Sequence, residues 1–153
     1  MLATLLAVTG TLLGALVSGL LQHHLARAAR AESQAVQHRT AQLDAITDLA
    51  DALSAHRRAM WALLDATLTG ADPDRVTELR DESHHTRAAV TAPAVRIRLL
   101  IADQTVRDAA TTAITATYAI RDACDPTHLE TLRQAALSAH DHLVEEAARH
   151  LTP

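Results

Sequence analysis

Residues 67–79 read TLTGADPDRVTEL, and this stretch decides the fold. Gly70 is the only glycine outside the first 21 residues, and it stands where a helix would end. Glycine at C′ accepts the left-handed backbone that closes a helix at low cost. Two residues later Asp72-Pro73 gives an N-cap acceptor followed by a residue pre-set for the first helical turn. One helix therefore stops and another starts within a few residues, so the two must fold back antiparallel. Upstream, Gln22 to Thr69 contains no Gly or Pro. Downstream, Asp125-Pro126 repeats the start signal and Asp103 is a third candidate cap. The expectation is an all-α chain of four helices, at about 2–69, 73–101, 104–123 and 126–151.

Apolar residues recur at three- and four-residue steps, the spacing of one buried helical face. In the first helix they are Leu43, Ile46, Leu49, Leu53, Met60, Leu64 and Leu68, and in the second Val76, Leu79, Val90, Ile97 and Leu100. In the third they are Val106, Ala110, Ala113, Ile120 and Cys124, and in the fourth Leu129, Leu132, Ala136, Leu143 and Leu151. Folding the second helix back from Gly70 brings residue 101 level with about residue 41, so the antiparallel bundle occupies residues 41–153. Residues 22–40 remain as a juxtamembrane helical stalk, roughly 28 Å long at helical rise. Its stripe of Ala28, Ala31 and Ala35 suits either a second chain or plain solvation. Asp72, Asp74, Glu78, Asp81 and Glu82 crowd the start of the second helix while Arg87, Arg96 and Arg98 lie toward its end, as the helix macrodipole favours. Pro93 removes a backbone donor inside that helix and is expected to kink it.

Residues 1–21, MLATLLAVTGTLLGALVSGLL, carry no charged side chain. At helical rise they span roughly 30 Å, the thickness of a bilayer's hydrocarbon core. No basic residue precedes the run and no small-x-small cleavage site follows it, so an uncleaved signal anchor is expected rather than a signal peptide. His23, His24, Arg27 and Arg30 follow at the membrane interface, suited to lipid headgroups. With Arg39 beyond them and only Glu32 opposed, the positive-inside rule places the C-terminal domain in the cytoplasm and the N-terminus outside. Gly10, Gly14 and Ser18 stand four apart on one helical face, where two backbones could pack closely, so a homo-oligomer is expected.

The composition narrows the function. There is one Trp, one Tyr and no Phe, so the core must be aliphatic and rich in alanine. The net charge of −4 argues against nucleic acid as a partner, which needs a basic face. The single Cys124 excludes an internal disulfide and reads as a small buried hydrophobe. No GxSxG, Walker loop, GxGxxG or HExxH is present. The best metal-ligand spacing is His142, Glu146 and His150 on one face of the fourth helix. Adjacent members could each share an ion, but the outer two lie about 12 Å apart along the helix. A solvated stripe is the simpler reading, and no metal or cofactor is expected. His84-His85 and the Asp44, Asp48, Asp51 stripe likewise read as exposed helical faces, and Trp61 as core or interface filling.

Three stretches resemble a known family: TLLAVTGTLLGALVSGLLQHHLARAAR at 4–30, VRIRLLIADQTVRDAATTAI at 95–114 and AIRDACD at 119–125. The chain is similar over most of its length to small actinomycete KilB-like proteins, some of them associated with plasmid transfer and spread. The resemblance implies a small membrane-associated helical protein linked to mobile elements, and it brings no catalytic residues. The function expected is a non-enzymatic tether on the cytoplasmic face that binds a protein partner. A ligand- or metal-binding sensor bundle and a membrane-active toxin-like protein are the alternatives.

Overall fold

The computed structural model describes residues 2–152, and of their side chains those of Arg27, Arg30 and residues 32–152. Four helices follow in order: α1 Leu2–Leu68, α2 Pro73–Leu100, α3 Gln104–Ala119 and α4 Pro126–Leu151. A single 3-10 turn, Ile120–Asp122, extends α3. No strand occurs among the described residues. The chain divides into two units, Met1–Arg39 and Thr40–Pro153. In the first, every described side chain is exposed. The expected anchor at 1–21, its face of Gly10, Gly14 and Ser18, and His23 and His24 lie outside the described side chains. Among the described residues no helix is long and apolar enough to cross a membrane.

Each helix boundary has a local cause. Gly70 adopts φ +71°. The Ala71 amide reaches back to Ala66 O at 2.9 Å and the Gly70 amide to Thr67 O at 3.3 Å, the paired bonds of a Schellman motif. Asp72 accepts the Asp74 amide at 2.9 Å, Asp103 accepts Thr105 and Val106 at 2.8 and 3.2 Å, and Asp125 accepts His128 at 2.8 Å. These backbone donors, Val106 first for Asp103 and His128 first for Asp125, hold both carboxyls below the usual carboxylate range. The third helix was expected to run to residue 123, but its α-helical part ends at Ala119. Pro126 forces Asp125 into extended backbone (φ −154°, ψ 167°), and the 3-10 turn uses up the residues between. At Pro93, buried inside α2, the helix runs on without interruption.

Side-chain bonds within the second unit fix an up-down-up-down order. Gln42 Nε2 donates to Leu100 O at 2.7 Å, Arg96 pairs with Asp48, and His56 meets Thr86, so α1 and α2 run antiparallel. His150 faces Asp103 at 3.6 Å, joining the end of α4 to the start of α3. Two apolar clusters fill the bundle. One gathers Ile46, Leu49, Leu53, Val90, Ile97, Ile101, Val106 and Leu143 around the alanines of α3. The other joins Met60, Ile120, Leu129 and Ala136. Two side chains depart from the expected core face: Leu43 is 51% exposed and Cys124 is exposed. Trp61, read as core or interface filling, is 39% exposed. The buried face of α1 instead passes through Ala45, which has no Cβ branch to crowd the neighbouring helix.

Candidate functional site

A polar layer separates the two apolar clusters. His56 of α1, Ser83 and Thr86 of α2 and Thr117 of α3 are all buried. Burying such groups is tolerable only if their hydrogen bonds are made. Thr117 and Ser83 meet this need locally, donating to Ala113 O and Arg80 O at 2.8 Å each. Thr86 Oγ1 lies 3.0 Å from Glu82 O. The Nδ1 of His56 lies 3.1 Å from that hydroxyl, and the ring's tautomer sets which of the two donates.

Two further contacts hold that ring. Tyr118 of α3 packs edge-on, with centroids 5.5 Å apart at 84°. The Arg87 guanidinium lies over the tyrosine ring, 4.4 Å from its centroid. Burial, and then the positive charge of Arg87, bring the His56 pKa down to about 4. On the α4 side, Ser54 and His140 approach at 3.4 Å.

The layer opens outward into a cleft of about 230 Å³ whose walls carry Arg80, His84 and Arg87 of α2 and Arg121 of the 3-10 turn. Arg121 is neutralised by Asp122 at 3.3 Å. The cleft brings cations to a neutral imidazole, and Ser83 shares its lining. The contacts from His56 to Thr86 and Tyr118 tie three helices together at one level.

Of the candidate site residues singled out in the sequence, only His84 lines this cleft. His142 and Glu146 do meet, at 3.7 Å, but Glu146 also takes Arg149 at 2.7 Å and His150 turns to Asp103. Among the described residues no three His, Cys, Asp or Glu gather as a metal site. Arg27 and Arg30 are exposed. His84 is exposed at the rim of the cleft, and His85 is exposed beside it. Cys124 Sγ lies 3.3 Å from His128 Nδ1, a contact between neighbours at an exposed helix start.

The polar layer was missed in the sequence, yet it left a trace there. The apolar stripes skip one step in α1, α3 and α4 and two in α2: Leu53 to Met60, Ala113 to Ile120, Ala136 to Leu143 and Leu79 to Val90. The skipped positions are His56, Ser83 with Thr86, Thr117 and His140, and folding brings them to one level.

Residues 43–151 match the family model described as KilB plasmid transfer protein. Protein KilB of Streptomyces lividans is 46% identical over 149 residues, which is 97% of this chain and 97% of that protein. No solved structure matches the chain.

Proposed function

The chain belongs to the KilB plasmid transfer protein family, and from that premise we propose that it serves plasmid transfer as a non-enzymatic membrane tether. Residues 1–21 insert as the anchor and self-associate, and the bundle binds a protein partner at the cytoplasmic face. The anchor rests on the uncharged run and the arginines that follow it. The observation that carries the partner-binding half is a pair of exposed apolar side chains one turn apart on one face of α2. Leu99 is 77% exposed and Val95 47%. Large aliphatic side chains grouped in water favour a partner that covers them.

The test is complementation of an actinomycete plasmid that has lost its own gene of this family. Wild type should restore transfer. A chain lacking residues 2–21 should not, and neither should Leu99→Asp, which is too exposed to disturb folding. Full transfer by the truncated chain would overturn the tether, and full transfer by Leu99→Asp would remove this face as the partner surface.

A further inference from the structure

Between α1 and α4 lies another groove, of about 510 Å³, lined by Arg57, Arg58, Trp61, Arg133 and Leu137. Its volume lies within the usual span for small-molecule sites. Three guanidiniums from two helices share the space. Two carboxylates stand near: Glu130 holds Arg133 at 2.8 Å, and Asp141 favours the charge of Arg57 without a direct bond. Arg57 is the informative member. Its Nη1 is buried and has no hydrogen-bond partner among the described residues. Burial, then the like charges of Arg58 and Arg133, press its pKa below the usual arginine range. An arginine does not give up its proton under such pressure, so the guanidinium stays charged at the wall of the groove. Beside these cations the Trp61 ring is 39% exposed, an aromatic face without a full apolar cover.

We propose that this groove binds a small phosphorylated ligand of the nucleotide class. The guanidinium forks of Arg57, Arg58 and Arg133 take the phosphate oxygens, and Trp61 stacks on the attached base. Guanidinium matches phosphate in a planar two-point contact, and the three exceed what Glu130 and Asp141 balance. An aromatic ring beside a phosphate site supplies a face for a base. An extended nucleic acid is disfavoured by the net charge of −4 over the whole chain.

Trp61 is the sole tryptophan, so its emission reports the groove directly. The full chain in nanodiscs is titrated separately with guanosine diphosphate, inorganic phosphate, inorganic sulfate and a poly-glutamate peptide, with calorimetry alongside. Guanosine diphosphate should give a saturable change at least tenfold tighter than inorganic phosphate, and sulfate none that saturates in that range. Arg57→Gln should weaken binding at least tenfold with unchanged circular dichroism. Should that variant misfold, the exposed Arg58→Gln carries the same expectation, and Arg133→Lys should retain part of the affinity. No saturable response to either phosphate probe would overturn the proposal. So would wild-type affinity in a folded Arg57→Gln or Arg58→Gln, or preference for the peptide, which would make the groove a protein-binding surface.

Discussion

At the scale of single residues, a buried histidine and an arginine with one buried nitrogen carry opposite kinds of cost. His56 is neutral in the fold, with a pKa of about 4 against an ordinary value of 6.5. Between those two values the unfolded chain binds more protons than the folded one, so stability falls as pH drops through that window. The loss at full protonation is on the order of 3 kcal/mol. Urea unfolding from pH 7 to 4 should therefore be steeper in pH for wild type than for His56→Leu, and parallel slopes would remove the histidine from the account. Arg57 is the reverse case, a group whose partner the fold does not supply. Arg57→Met keeps the stem and removes an unpaired buried donor, so it should stabilise the ligand-free chain by about 1 kcal/mol. Thermal unfolding measures it, and a fall in midpoint would mean the guanidinium is already satisfied. Neither residue was legible from the sequence. An apolar stripe shows where side chains are buried, but a buried polar group appears in it only as a gap, and a gap also marks exposure.

At the scale of elements, nearly every boundary was legible because each is set by short-range chemistry. Gly70, Asp72-Pro73, Asp103 and Asp125-Pro126 act within four residues of themselves, and a sequence shows such neighbours directly. The end of α3 was not, because Pro126 acts backward through Asp125 while the helical pattern of residues 120–123 runs on undisturbed. Exposure at Leu43 and Cys124 also escaped, since a position in a stripe does not say whether a neighbouring helix reaches that far. Gly70→Ala isolates one boundary. Nothing lies within 4 Å of the added Cβ, so only the positive φ opposes it. The variant should lose about 1 kcal/mol in urea unfolding, and no loss would mean the turn relaxes to another closure. For the anchor, Gly10→Leu with Gly14→Leu should lower crosslinking in membranes, since larger side chains keep two backbones apart. Equal crosslinking would remove that face from self-association.

At the scale of the whole molecule, the bundle, its family and its tether stand on different ground. The helical order follows from local signals and is held by bonds between α1 and α2 and between α3 and α4. The family follows from similarity along nearly the whole chain. The tether rests on an uncharged segment and a charge bias, both read from sequence alone. Its direct test uses the single cysteine, which is exposed on the bundle and so open to reagents in water. Protoplasts carrying the full chain are treated with a membrane-impermeant maleimide before and after permeabilisation, and Cys124 labelling is followed in the membrane fraction. A cytoplasmic bundle held by an N-terminal anchor predicts labelling only after permeabilisation, with the protein staying in that fraction. Labelling of intact protoplasts, or recovery of the chain in the soluble fraction, would contradict it.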